Sequence, residues 1–223
     1  MEREDQAVDV LVVGAGVSGA AFSWSLAQAG ISVLCLEQGD WVQSHSYSST
    51  HDDWELHRQT DMNPNPNVRR DIQDYPVDEK DSDISPLMYN AVGGSTIHWS
   101  AHVPRFHPSD FRVRTLDGVA DDRPIKYEDL EEFYDLNDRV IGVAGVVGDP
   151  AYPLKPARQT GPVPLGKLGL KMVEGFERLG WHWWPSESAI VTEAYDGRLP
   201  CNNCGPCDIG CTRESKASSD ITY

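Results

Sequence analysis

Within the first forty residues a short apolar run, a glycine-rich turn, an alanine-rich stretch and a second apolar run ending in an acid follow one another, and few folds accept that order. Residues 10–13 (V-L-V-V) have the β-branched and leucine content of a parallel strand buried on both faces. Gly14, Gly16 and Gly19 follow directly, in the G-x-G-x-x-G spacing. The first makes the tight turn, the second lets backbone approach a pyrophosphate with no Cβ in the way, and the third lets a helix pack against the strand. A helix over 18–29, beginning at Ser18, turns its free amino-terminal N–H groups and its dipole toward those phosphates. Gly30 ends it, and residues 31–36 supply the second strand. Glu37 stands at that strand's end, roughly 20 residues beyond the glycines, where a carboxylate accepts both hydroxyls of an adenosine ribose and repels a 2′-phosphate. The sequence thus predicts an α/β fold with a parallel sheet and a βαβ dinucleotide-binding unit over residues 1–42, selective against NADP.

Charge narrows the partners. With 35 acidic against 19 basic residues the formal charge is −16, which repels phosphate backbones and anionic lipid, so no nucleic acid partner is expected. No apolar run approaches the roughly 20 residues of a membrane helix. The charged start M-E-R-E-D-Q has no apolar core behind it. No membrane partner and a cytoplasmic location are therefore expected. Over 43–86 histidine, aspartate, asparagine and proline dominate, and the stretch reads as a polar insertion, an extended surface segment or a lid. His45, His51, Asp52, Asp53 and His57 lie in it; their spacing matches no metal-site signature, and they read as part of a solvated loop.

Order returns at Leu87, and residues 87–166 read as a continuation of the nucleotide domain. In A-V-G-G-S-T-I-H-W, Gly93 and Gly94 bring backbone close to a neighbour, and Ser95 and Thr96 offer hydroxyls beside it. The spacing predicts a helix over 127–141, with Leu130, Phe133, Tyr134, Asn137 and Ile141 on one face and Glu128, Asp129, Glu131 and Glu132 in the first turns, where the dipole favours them. Residues 142–166 are rich in glycine and proline and read as a traverse. A second helix over 168–179 sets Leu168, Met172, Phe176 and Leu179 in one stripe and stops at Gly180. Residues 181–185 (W-H-W-W-P) and 189–192 (A-I-V-T) read as strands, the tryptophans as packing residues. The stretch 167–223 is expected to open a substrate- and cysteine-bearing region.

The βαβ unit, A-V-G-G-S-T-I-H-W with P-R-F-H-P-S-D-F behind it, the K-Y-E-D-L-E-E-F-Y helix and the C-N-N-C-G-P-C-D-I-G-C…S-K-A-S segment together resemble the glucose-methanol-choline flavoprotein oxidoreductases. Within them the chain most resembles the bacterial branch related to pyranose oxidases and to sugar or glycoside oxidases and dehydrogenases. The resemblance implies FAD, with its adenosine at Gly14, Gly16, Ser18, Gly19 and Glu37 and its pyrophosphate and isoalloxazine near Gly93, Gly94, Ser95 and Thr96. It also implies oxidation of a sugar or glycoside CH–OH by hydride transfer to the flavin. V-G-G-x-x-x-H-W is similar to pyranose oxidases, in which the histidine is joined covalently to the flavin; the match falls on His98, which either carries that bond or only hydrogen-bonds the ring or a carbonyl.

Cys201, Cys204, Cys207 and Cys211 have the C-x2-C-x2-C-x3-C spacing of bacterial ferredoxins, an iron–sulfur signal. Thr212 replaces the proline that usually follows, and the chain has no second set. Some similar proteins that pass electrons to a partner hold a three-iron cluster here, and others bind nothing, so an iron–sulfur site and a structural loop of reduced cysteines both stand, with zinc a lesser option because such dense spacing is unusual for its sites. Cys35 reads as a small apolar strand residue. The resemblance places the His-His or His-Asn pair that takes the hydroxyl proton in a carboxy-terminal half, supplied in cis or as another chain, so the fold expected is an incomplete Rossmann-like FAD domain. No catalytic base is assigned: His102, His107 and His182 read as hydrogen-bonded loop or core histidines. A flavoprotein dehydrogenase subunit serving a partner, and a non-catalytic flavin-binding module, are the alternatives.

Overall fold

A computed structural model describes residues 7–223. In chain order the elements are β1 (Val10–Val13), α1 (Val17–Gln28), β2 (Val33–Leu36), α2 (Trp54–Gln59), α3 (Pro66–Arg69), α4 (Val113–Asp117), α5 (Tyr127–Ile141), α6 (Gly166–Leu179) and α7 (Ser219–Thr222), with short 3-10 turns between them. The described residues fall into two compact units, residues 7–100 with 202–223, and residues 101–201.

In the first unit β1 and β2 pair in parallel, Val10 opposite Val33 and Val13 opposite Leu36, with α1 as the crossover. The helix comes close because Gly19 has no side chain: a Cβ there would stand 1.9 Å from Gly14 O. Parallel strands are normally covered on both faces, yet Leu11, Val13, Leu34 and Leu36 are exposed, Val13 at 82%. The core lies elsewhere. Tyr47, Met62, Ala91, Ile97 and Ile209 form it, with Val42, Trp54 and Tyr89 packed against them. Two of its seams admit only glycine, since a Cβ on Gly210 would strike the Tyr47 ring at 2.3 Å and one on Gly39 the Ala91 nitrogen at 2.3 Å.

The structure thus differs from the reading of 43–86 as an extended surface segment. Tyr47 and Met62 belong to this core, and Ser48, Ser49 and Pro66 are buried as well. Polar composition hid the contribution, because two large side chains spaced far apart make no periodic signal.

In the second unit α5 runs over Tyr127–Ile141, the bounds read from the sequence, and ends at Gly142 in the left-handed conformation. Its buried contacts are Tyr127, Asp138 and Ile141, whereas Phe133 is exposed. Asp138 is central to a buried ionic network. Arg105 donates to Asp138 (2.5 Å) and Asp135 (2.6 Å), Arg158 pairs with Asp138 and with Glu187 (3.1 Å), and Lys155 pairs with Glu187 (3.0 Å). The residues read as strands at 181–185 and 189–192 form none. Ala189, Ile190 and Val191 are buried, but the pairing is confined to single bridges, Ser188 with His102 and with Ala144. The apolar stripe of α6 is likewise uncovered, with Leu168, Met172 and Leu179 exposed.

Candidate functional site

The glycine turn, the end of β2 and the Gly93–Gly94 segment meet at one place in the first unit. Gly14 N–H donates to Leu36 O (2.7 Å), Gly93 N–H to Ala15 O (3.0 Å), and Val92 N–H to Asp40 O (3.1 Å). A Cβ on Gly94 would lie 3.4 Å from Gly16 Cα, so two glycine backbones face each other at close range. Both Gly93 and Gly94 have positive φ, a conformation that other residues adopt only under strain.

α1 begins at this junction. Gly16 is its amino-terminal flanking residue, no side chain caps it, and no acid occupies its first turn. Its first N–H groups therefore lack intrahelical partners and are of the kind that bind an anion. Ser18 is exposed in that first turn.

Glu37 is folded back toward the turn. Its carboxylate accepts from Ala15 N–H (2.6 Å), Gln38 N–H (2.8 Å) and Gly39 N–H (3.0 Å). Burial alone would raise its pKa, but the N–H groups of Gly39, Ala15 and Gln38 prevail and hold the carboxyl below its ordinary value of 4.5. The acid is thus ionised and oriented beside the glycine turn.

Thr96 is committed to the protein: its hydroxyl donates to Gly93 O (2.5 Å) and accepts from Ser219 N–H (3.0 Å), locking the glycine pair to α7. Ser95 is exposed, and with His98, Trp99, Met88, Arg58 and Asp208 it lines a cleft of about 380 Å³. The Nδ1 of His98 donates to Asp208 O (2.8 Å), which leaves the lone pair on Nε2; Nε2 is buried with no partner. The Tyr89 ring meets the imidazole edge-on at 4.5 Å. Burial, first, and then Arg69 and Lys216 push the His98 pKa below 6.5, against Asp208, so the ring is neutral.

Lys216, which sequence reasoning did not single out, holds this wall together. Its ammonium donates to Ile97 O (2.6 Å), Cys207 O (2.8 Å), Trp99 O (3.0 Å) and Thr96 O (3.4 Å), and burial lowers its pKa to about 8. Trp99 Nε1 adds a bond to Ala217 O (2.7 Å). A lysine between serines and alanine carries no signal of burial in sequence, since lysine is nearly always solvated.

These features fit a dinucleotide with an extension. The uncapped helix, the open space above Gly16 and the ionised Glu37 suit its adenosine and pyrophosphate, while two buried polar atoms beside the glycine pair lack partners, His98 Nε2 and Asp220 Oδ1. A Cβ on Gly93 would stand 2.6 Å from that Asp220 oxygen.

Among the described residues no cysteine forms a disulfide; Cys204 is exposed and Cys201, Cys207 and Cys211 are half-buried. The boundary between the two units falls after Cys201. His102 bonds Ser186 (3.1 Å), His182 bonds Asp149 (2.8 Å) and His107 stacks on Tyr152. A larger cleft of about 470 Å³ in the second unit is walled by prolines and the Lys155–Glu187 pair and lacks the chemistry of the first. Among the described residues no helix is long and apolar enough to cross a membrane.

The fold and site define a chain with a Rossmann-like dinucleotide-binding domain and a small parallel sheet, and residues 12–75 match the family model described as an NAD(P)-binding Rossmann-like domain. Over 85% of its length the chain is 45% identical to the 2-methyl-1,2-propanediol dehydrogenase of Mycolicibacterium austroafricanum, covering 34% of that protein. It is 29% identical to the fructose dehydrogenase large subunit of Gluconobacter japonicus, over 94% of this chain and 42% of that one. It is 26% identical to the gluconate 2-dehydrogenase flavoprotein of Pantoea cypripedii, over 98% of this chain and 42% of that one. The chain thus spans between 34% and 42% of the length of these relatives.

Proposed function

We propose that this chain is the FAD-binding portion of a cytoplasmic oxidoreductase of the glucose-methanol-choline kind, one that oxidises a CH–OH group of a sugar, glycoside or small polyol. The observation that carries the reading is the second glycine segment, Gly93–Gly94, hydrogen-bonded onto the first at Ala15. A nicotinamide site has no use for it, whereas a cofactor whose reactive ring extends past the pyrophosphate needs backbone there. Relatives named as dehydrogenases, one of them a flavoprotein, support the reading. Their names span a branched diol and a sugar, which points to an alcohol carbon as the donor.

When bound, FAD supplies the ring position that accepts the hydride. The chain's own residues bind and orient. The α1 amino terminus neutralises pyrophosphate charge, Glu37 takes the ribose hydroxyls, and the backbone at 93–96 carries the ring system. His98, neutral and fixed by Asp208 O, offers its Nε2 lone pair either as a hydrogen-bond acceptor or as the atom of a covalent link.

The test is cofactor identity. The chain is loaded with FAD or NAD⁺, desalted and released by acid. Retention of FAD and loss of NAD⁺ are expected; retention of NAD⁺ with no flavin overturns the reading. Colour that stays with acid-precipitated protein, and is lost in His98→Ala, identifies the covalent form. A second reading, in which electrons leave through an iron–sulfur site to a partner, draws on the ferredoxin-like spacing at Cys201–Cys211 and on the word subunit in the name of the fructose dehydrogenase relative. Stoichiometric iron and acid-labile sulfide after anaerobic, iron-replete expression would favour it.

A further inference from the structure

We infer that His51, Asp53 and His57 form a binding site for a divalent first-row transition metal such as zinc, independent of the flavin reading. Among the described residues this is the set of three histidine, cysteine, aspartate or glutamate side chains whose ligand atoms all lie within 4.8 Å of one another. Around zinc, ligand atoms about 2.0 Å from the ion in tetrahedral array stand about 3.3 Å apart. His57 Nε2 and Asp53 Oδ1 are already 3.6 Å apart, a gap that is long for a hydrogen bond and close to the span of a shared cation. The two imidazoles meet edge to face with centroids 5.3 Å apart.

Three further observations separate this set from an ordinary surface ion pair. First, His57 has an outer partner of the kind metal-binding histidines use: its Nδ1 bonds both oxygens of Asp61, at 2.9 and 3.1 Å. Thr60 Oγ1 donates to the same carboxylate at 3.0 Å. That arrangement puts the proton on Nδ1 and leaves the Nε2 lone pair on the side of Asp53. Second, the ligands lie on two overlapping backbone turns, closed by Trp54 N–H to His51 O (3.3 Å) and His57 N–H to Asp53 O (3.4 Å), and Trp54 packs against the core. Third, Asp53 and His51 are exposed, so a cation has access and a fourth position is open to water. The neighbouring Arg58 pairs with Asp208 (2.6 Å), whose carbonyl fixes His98, so an ion here would stiffen the short helix that braces the cleft.

The test uses Co²⁺ alone on the chelator-stripped 223-residue chain, read by visible absorption, with circular dichroism as the folding control. One equivalent should give the d–d bands of low-coordinate cobalt on nitrogen and oxygen ligands, without the near-ultraviolet thiolate charge-transfer that binding at the cysteines would produce, and zinc should displace it. His51→Ala and His57→Ala should abolish the bands. Asp61→Asn should weaken affinity by roughly 10–100-fold while leaving the spectrum unchanged. No d–d bands at one equivalent, a thiolate-dominated spectrum, or bands that survive both histidine variants would overturn the site. Unaltered affinity in Asp61→Asn would remove Asp61 from it.

Discussion

His98 is held by a single hydrogen bond and by exclusion of water, and its protonation therefore reports on folding. In the unfolded chain the imidazole titrates near 6.5, while burial sets it lower in the folded one. Between those two values the unfolded chain takes up a proton that the folded chain refuses. The stability that His98 contributes is then complete above pH 6.5 and is lost as the pH falls through the folded value. Urea midpoints measured on either side of pH 6.5 should fall on the acid side in the parent protein, and His98→Gln should flatten that fall. Equal slopes in the two proteins would show that the imidazole is solvated. The residue itself was legible in sequence from the V-G-G-x-x-x-H-W pattern, as was Glu37 from its distance to the glycines. What holds them was not. The carbonyl that fixes His98 belongs to Asp208, 110 positions away, and no local pattern encodes a contact so distant.

Among the elements, those read correctly are those whose causes are local. β1 follows from four consecutive apolar residues before glycine, and α5 from its helical period, its acidic first turn and the Gly142 stop. Residues 189–192 misled because a buried apolar run looks alike whether it joins a ladder or packs beside one. Lys216 shows the opposite failure, a charged residue that serves as a core strut. It ties the 3-10 turn Gly94–Ile97 and Trp99 to the cysteine segment through four carbonyl oxygens. Methionine at 216 preserves length and apolar volume but withdraws the shared donor, and buried carbonyls that lose a charged donor cost on the order of 3 kcal/mol. Chemical denaturation of Lys216→Met should show a loss of that size together with weaker FAD retention. A loss under about 1 kcal/mol would mean that the strut is dispensable.

At the scale of the whole molecule, the two units differ in how the chain builds them. The second is continuous: its ionic network joins Arg105 to Tyr127 and Asp138, 22 and 33 positions on. The first is discontinuous, since residues 101–201 leave before 202–223 return. Its fastenings are correspondingly remote, Trp99 to Ala217 across 118 positions and Thr96 to Ser219 across 123. Closing so long a loop is entropically unfavourable before any contact rewards it, and nonlocal contacts slow folding. Refolding should therefore have two phases. Pulse-labelled hydrogen exchange should find the amides of α5 protected early and the Gly210 amide, which donates to Ile97 O, protected late; simultaneous protection would refute that order. The nucleotide cradle would then be the last part of the molecule to take shape. On the ribosome, the glycine turn is made roughly 180 residues before the segment 202–223 that completes its unit, so a nascent chain must carry a half-built cradle for most of its synthesis.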